Sequence, residues 1–191
     1  MYKRQVTDNT TVGDNGDNVI GGGNGNDNIQ GRDGNDSISG NAGNDTIRGE
    51  NDNDTLYGNS GDDTIYGGAG NDTLVGGTGL DVLYGDGGAD VFGFLQMDGN
   101  IDQIRDFELG TDTINITNIL TGCTVGVDDI SDYVIVNVVN AGRTDIRVDM
   151  DGTGSGSSSQ VLAIVRGSDF GSLTAQNLLD NGTLVVDQSL I

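Results

Sequence analysis

The sequence predicts an all-β chain: a parallel β-solenoid built from nonapeptide units, followed by a β-rich C-terminal segment. Three observations carry that expectation. Glycine returns every nine residues from Gly13 to Gly85, aspartate every nine from Asp27 to Asp90, and an apolar residue every nine from Ile20 to Phe92. Chance does not hold such columns in register from residue 13 to residue 93.

Residues 1–12 precede the first unit and read as a lead-in. Lys3 and Arg4 are followed by polar sequence rather than an apolar stretch, so no signal peptide is expected there.

Nine units then run without a gap over residues 13–93. Position one is always glycine. Position four is glycine except at Asp52, and position six is aspartate except at Asn18. Position eight reads Ile20, Ile29, Ile38, Ile47, Leu56, Ile65, Leu74, Leu83 and Phe92. Glycine reaches backbone angles closed to other residues, so positions one to six are expected to form a tight turn. Such a turn can aim several carbonyl oxygens at one spot, and the aspartate at position six adds charge there. Oxygen ligands without nitrogen or sulfur suit a hard cation, calcium best of all. Positions seven to nine, such as Thr64-Ile65-Tyr66, favour a three-residue strand with its middle side chain inward.

One nonapeptide cannot bury its single apolar residue, but stacked units can. Two units would make a turn of eighteen residues, with equivalent loops about 4.8 Å apart. Nine units would give four and a half turns, roughly 22 Å of solenoid. The alternative is a glycine-rich linker or disordered acidic tail. It accounts for the 34 glycines but not for the apolar and aspartate columns. Without a cation that alternative becomes the favoured description, because facing carboxylate loops repel and the core is thin.

Composition agrees. Thirty acidic residues against eight basic ones give a net charge of −22, which argues against nucleic acid and anionic membrane surfaces as partners. With no histidine there is no Ser-His-Asp or Cys-His pair and no His-ligated zinc, so a non-enzymatic role is expected. Cys123 is the only cysteine, which excludes an intrachain disulfide, and it reads as a buried small hydrophobe. No apolar run approaches the ~20 residues of a membrane-spanning helix.

From residue 94 the period stops. Residues 133–139 read as a buried strand. "TDIRVDM" and "QVLAIVRG" flank the polar run "DGTGSGSSS" and read as a hairpin. Residues 173–186 suggest a short helix and then a strand. "DMDGTG", from Asp149, opens like an EF-hand loop. Its glycine comes too early and Gln160 stands where the bidentate glutamate belongs, so a turn is expected.

The nonapeptides resemble the G-G-x-G-x-D-x-U-x repeats of the RTX (repeats-in-toxin, hemolysin-type calcium-binding) family, where U is a large apolar residue. The resemblance implies a right-handed parallel β-roll with each ion shared between loops of neighbouring turns. One loop supplies carbonyls at positions one and three with its aspartate; the other supplies carbonyls at two and four with its own. The aspartates implied are Asp27, Asp36, Asp45, Asp54, Asp63, Asp72, Asp81 and Asp90. The implied carbonyls belong to Gly31, Asp33, Gly34, Gly40, Ala42, Gly43, Gly49, Asn51, Gly58, Ser60 and Gly61. They continue through Gly67, Gly68, Ala69, Gly70, Gly76, Gly77, Thr78 and Gly79. For one site this means Gly49, Asn51 and Asp54 facing Gly68, Gly70 and Asp72, or the same roles exchanged. Nine loops in two rows leave about seven calcium sites. Asn18 removes a charge and puts the first in doubt, and Asp52 must adopt glycine-like angles.

"GNIDQIRDFELGTDTINI" (99–116) resembles the segment that closes an RTX roll, which implies a further ion at Asp106 and Asp112. The alternative is a solvated strand pair with a turn at Gly110. Residues 94–191 resemble the type I secretion target domain of large bacterial RTX adhesins, through the V-x-x-D-G hairpin and the "L-x-x-x-N-L-L-x-N-G-x-L-x-V" ending. That resemblance implies a cap on the roll, an uncleaved export signal read by an ABC transporter, a secreted or cell-surface location, and residues 1–12 as the cut end of a larger protein. The chain is then a calcium-dependent folding and export module, expected as a monomer without membrane insertion. The alternative is an accessory module of a secreted polysaccharide-acting enzyme. There Tyr57, Tyr66 and Tyr84 would stack on sugars, unless Tyr66 and Tyr84, eighteen apart, simply stack on each other. An ice-binding surface would need a regular threonine row. Position three, running from Asn15 through Ala42 and Ser60 to Gly87, lacks one.

Overall fold

The computed structural model describes residues 8–119, 134–140, 143–148, 160–167 and 184–185. Successive units fall alternately on two sheets, because an eighteen-residue turn carries two strands. One sheet stacks β1 (Thr10–Val12), β3 (Asn28–Arg32), β5 (Thr46–Asn51), β7 (Thr64–Ala69), β9 (Val82–Gly87) and β11 (Asp102–Phe107). It continues into β15 (Gln160–Gly167), β14 (Arg143–Val148) and β13 (Val134–Asn140). The other stacks β2 (Val19–Asn24), β4 (Ser37–Ala42), β6 (Thr55–Ser60), β8 (Thr73–Thr78), β10 (Val91–Gly93), β12 (Thr113–Asn115) and β16 (Leu184–Val185). Pairing is parallel throughout except in β13–β14–β15, and no helix occurs among the described residues. Within the repeats the register is eighteen, as in Thr55↔Thr73 and Leu56↔Leu74.

The strands are longer than the expected three residues. Thr55–Ser60 covers positions seven, eight and nine and then positions one to three of the following unit. Pairing skips position one, passing from Ser39↔Tyr57 to Asn41↔Asn59. Position two has positive φ, as at Glu50 (88°) and Asn59 (78°), which bends the strand without ending it. The carbonyl of position three still pairs: Gly43 N–H donates to Ser60 O at 2.9 Å. Only positions four to six are left as the turn. Asp52 meets the demand at position four with φ 74°, as its side chain permits.

The position-eight column is the core. Ile29, Ile47, Ile65 and Leu83 from one sheet face Ile38, Leu56, Leu74 and Phe92 from the other, all fully buried. Each contributes roughly 1.5–3 kcal/mol by leaving water. One such residue per nonapeptide makes a narrow core. Ile20, on the terminal strand β2, is only partly covered.

Parallel stacking continues past residue 93. β11 pairs with β9 and β12 with β10, placing Ile104 and Ile114 on the same inward columns. Phe107 packs 5.9 Å from Phe92. The turn at Gly110 is present, with φ 85° and Asp112 N–H donating to Glu108 O at 2.9 Å. The strands on either side of it do not pair with each other, as a simple strand pair would require. They join opposite sheets, because the solenoid offers each a free rung. The expected strand at 133–139 is β13, and the expected hairpin is β14 with β15. Cys123, the loop from Asp149 and the expected helix lie outside the described residues.

Candidate metal centre

The turn at positions four to six points the aspartate side chain back into the solenoid. Asp27, Asp36, Asp45, Asp54, Asp63, Asp72, Asp81 and Asp90 are all at most 3% exposed. Each uses Oδ1 in the same way, accepting the backbone N–H eighteen residues earlier: from Asn9 and Asn18 for Asp27 and Asp36, and from an aspartate for the rest. Asp45 N donates to Asp63 Oδ1 at 2.7 Å, and Asp54 N to Asp72 Oδ1 at 2.8 Å. The result is one ladder along each row of loops.

The second oxygen has no such partner. Oδ2 of Asp27, Asp36, Asp45, Asp54, Asp63, Asp72 and Asp81 is buried without a hydrogen bond. A buried carboxylate oxygen left unpaired is costly, and its charge more so. Burial therefore pushes Asp54, Asp63 and Asp90 up to about 7, and Asp45 and Asp81 to about 6. The N–H bond at Oδ1 opposes this shift. Neighbouring carboxylates, such as Asp45 and Asp81 around Asp63, reinforce it.

Backbone oxygens converge on these orphans. A methyl group at Gly49 would collide with Asp54 Oδ2 and lie 2.7 Å from Gly67 O. One at Gly68 would collide with Glu50 O, and one at Gly70 with Asp52 O. In the gap between neighbouring loops, the earlier loop thus turns its position-two and position-four carbonyls forward. The later loop turns its position-one carbonyl back, and its position-three carbonyl also, as Thr78 O toward Gly61 N at 2.9 Å. In the gap between Asp54 and Asp72, Glu50 O and Asp52 O lie against Gly68 and Gly70, and Gly67 O lies against Gly49. Gly49 O points to the preceding turn instead, toward Gly31 at 2.9 Å from its methyl position. The carbonyls of Glu50, Asp52 and Asn59 are not among the sequence candidates, because these positions lack the glycine that stands there in other units. The positive φ that aims position two does not require glycine.

Among the described residues no three acidic, cysteine or histidine side chains gather closely enough to hold a metal by themselves. A cation here needs backbone carbonyls as well as carboxylates. That donor set, all oxygen and partly anionic, fits Ca²⁺. The glycines at position one keep the space open, and the orphaned Oδ2 atoms supply the charge.

The ends differ. Asn18 satisfies itself: its Oδ1 accepts Asp14 N at 2.8 Å, and its amide donates to Asp14 Oδ1 and Gly16 O. Asp112 extends one ladder, accepting Asp90 N at 3.1 Å, but its Oδ2 takes Glu108 N at 2.7 Å. Burial raises the Asp112 carboxyl, and Asp106 lies near enough for its charge to push it up further. Asp106 accepts Gly85 N and Asp86 N at 3.1 and 2.8 Å. The residue that extends the other ladder is Asp102, buried and accepting Asp81 N at 3.1 Å, with burial raising it to about 7. Asp102-Gln103-Ile104 has the same D-x-U spacing as the repeats, a signal available in the sequence but hidden by the lost period.

A second ladder runs through position five in the opposite sense. Asn35 Oδ1 accepts Asn53 N at 3.2 Å, Asn53 Oδ1 accepts Asn71 N at 2.7 Å, and Asn71 Oδ1 accepts Ala89 N at 2.9 Å. Asn26, Asn44 and Asp62 do the same in the other row.

The RTX calcium-binding nonapeptide repeat profile matches the chain in four overlapping copies, at residues 12–47, 21–56, 39–74 and 66–92. Together the copies span residues 12–92, the whole repeat array. The RTX repeats bind calcium, and here they form a parallel β-roll. Among solved structures, the chain is similar to the AlgE6R3 subunit of the Azotobacter vinelandii mannuronan C5-epimerase, at 23% identity and TM-score 0.49, covering 73% of this chain and 77% of that one. No curated protein sequence matches it. Both the RTX column of aspartates and the ladders around it are thus placed on described residues.

Proposed function

We propose that this chain is a module whose folding is driven by calcium, serving export and presentation of a secreted bacterial protein. The observation behind this reading is the orphaned Oδ2 at the centre of each inter-loop gap, surrounded by outward-aimed carbonyl oxygens. Asp27, Asp36, Asp45, Asp54, Asp63, Asp72, Asp81 and Asp90 would hold about seven Ca²⁺ in the roll. Bound calcium supplies positive charge and a cross-link between successive turns. The aspartates and backbone of this chain do the rest: Oδ1 fixes turn spacing, while Oδ2 and four carbonyls define the gap. At calcium ten times the dissociation constant, each site adds about 1.4 kcal/mol to folding. Several together reach the whole stability of an ordinary domain.

Cytosolic calcium is too low for extracellular-class sites, with dissociation constants of ~10⁻⁴–10⁻³ M. The chain would then stay unfolded during passage through a type I transporter and fold outside. In this reading residues 13–93 are the calcium roll and residues 94–191 its cap and export region, at the end of an adhesin. Asp102 and Asp112 continue the ladders into that cap. Circular dichroism should report coil in chelator and β-structure in millimolar calcium, with magnesium a poor substitute. A full β spectrum in chelator at neutral pH overturns the proposal.

A further inference from the structure

In one row of loops the aspartate column ends at Asp81, yet the gap beyond it is built like the gaps before it. In a repeat gap, Oδ2 of the earlier aspartate and the position-one carbonyl of the later loop flank the methyl position of the earlier loop's first glycine. Asp54 Oδ2 and Gly67 O do so at Gly49. Oδ2 therefore faces forward, toward the next turn. Asp81 Oδ2 takes the same place at Gly76. Asp81 is fully buried, and this oxygen has no hydrogen-bond partner. Gly77 and Gly79 have positive φ, 115° and 127°. So do Asn59 and Gly61 one turn earlier, whose carbonyls lie forward against Gly77 and Gly79. An orphaned carboxylate oxygen and two forward carbonyls thus face residues that no longer follow the nonapeptide pattern.

Those residues answer with carboxylates. Asp102 closes the gap from the far side, 8% exposed, its Oδ1 accepting Asp81 N at 3.1 Å. Asp98 takes a place that elsewhere belongs to the backbone. Along this row the position-four N–H donates to the position-three carbonyl of the next loop: Gly25 to Ala42 at 2.8 Å, then Gly43 to Ser60 and Gly61 to Thr78 at 2.9 Å. The next in the series, Gly79, donates instead to Asp98 Oδ2 at 2.7 Å. A charged oxygen thus stands where the repeats present a neutral one. Asn100 holds both oxygens of that carboxylate, through its N–H and its Nδ2, each at 2.9 Å. Burial raises the Asp102 carboxyl first, and the charges of Asp81 and Asp98 raise it further, so the three acids share one neighbourhood.

We propose that this gap is a further calcium site outside the nonapeptide columns, where the carboxylates of Asp81, Asp98 and Asp102 replace the aspartate pair of a repeat gap. The inference rests on the calcium reading of the roll. The three side chains do not enclose an ion by themselves; the carbonyls of Gly77 and Gly79 complete the oxygen set, as their counterparts do in the repeats. A monovalent cation would leave most of this charge uncompensated, and magnesium gives up its water reluctantly. Ligand charge sets affinity in sites of this kind, so the gap should hold calcium more tightly than the repeat gaps do. It joins the last repeat loop of this row to β11, the strand on which β15 pairs. Asp98 lies 19 residues after Gly79 and Asp102 lies 21 after Asp81, so no column of eighteen points to either.

The test counts calcium bound to the full chain by equilibrium dialysis and metal analysis, first at saturation and then as free calcium is lowered. Asp98→Asn/Asp102→Asn should bind one ion fewer at saturation with its circular dichroism unchanged. Asp14→Asn/Asp17→Asn, an equal loss of charge at exposed positions of the first loop, should keep the full count. Asp98→Asn alone retains an acceptor for Gly79 N. The last ion kept by the unaltered chain should leave this variant at a free calcium concentration at least tenfold higher. Should the double variant fail to fold, Asp98→Asn, at an exposed residue, decides the matter. A full count in the folded double variant overturns the inference and leaves the calcium reading standing. So does the same loss from Asp14→Asn/Asp17→Asn, or release of the last ion from Asp98→Asn at unaltered calcium. A chain that binds no calcium overturns the calcium reading and this site with it.

Discussion

The loops carry two hydrogen-bonded ladders of opposite temperament. The outer one, through Asn35, Asn53 and Asn71, is mostly neutral, and its amides close the distance between turns unaided. The inner one, through Asp45, Asp63 and Asp81, performs the same spacing task with Oδ1 but leaves Oδ2 buried and unpaired. Asparagine could do all that Oδ1 does. Aspartate at position six makes sense only if something cationic occupies the space beside Oδ2. The difference between adjacent positions therefore separates structure that is self-sufficient from structure that waits for a ligand.

The largest effect on that comparison comes from changing the charge on the whole inner ladder at once. In chelator, Asp54, Asp63 and Asp90 have folded values near 7 against an ordinary 3.8. A group raised on folding stabilises the fold below 3.8 and loses that contribution as pH rises toward 7. Calcium-free chain should therefore gain β-structure as pH falls from 8 to 4.5, and lose it on return. A chelated chain equally unfolded at both pH values would contradict the buried, uncompensated ladder.

Asp63→Asn is the next largest. It keeps the acceptor for Asp45 N and removes one charge flanked by two gaps. With saturating calcium it should destabilise by about 3 kcal/mol, the worth of two sites by linkage. In chelator at neutral pH its sign should reverse, since a buried charge has gone. Calorimetric ion counts and denaturant titrations with and without calcium would measure both signs. Destabilisation under both conditions would mean that the carboxylate is structural in its own right.

Asn53→Ala cuts the outer ladder at one rung, removing the acceptor for Asn71 N. The expected loss is about 1 kcal/mol, similar with and without calcium, and no bound ion should disappear. An ion lost here would erase the distinction between the ladders. Asn18→Ala is expected to be the smallest change. Its amide bonds within its own loop, so removal should cost roughly 0.5–1 kcal/mol and leave the calcium count untouched.

Much of this was legible in residues alone. The period, the inward apolar column and the acidic column are local and repetitive, so each unit restates them. Stacking of Tyr66 on Tyr84 followed from eighteen-residue spacing once two units per turn were inferred. The aspartate at position six and the glycine at position one could be named because their chemistry admits few other uses. The position-five ladder was equally present, as Asn or Asp from Asp17 to Asn71. A polar residue in a turn needs no special explanation, so the sequence does not single this column out.

The tertiary structure decided what depends on partners distant in sequence. Asp102 and Asp112 hold the rungs after Asp81 and Asp90, but at separations of 21 and 22 residues rather than eighteen. The extra residues loop out, so the period is lost while the geometry persists. The direction of each carbonyl was likewise undetermined, because φ at position two turns positive even at Glu50 and Asn59, where no glycine announces it. The parallel pairing of β15, from far along the chain, with β11 is announced by no spacing in the repeats. Sequence fixes what one unit wants to bury or expose. Which oxygens and which charges meet across a gap is settled by hydrogen bonds between turns, and those exist only once the turns have stacked.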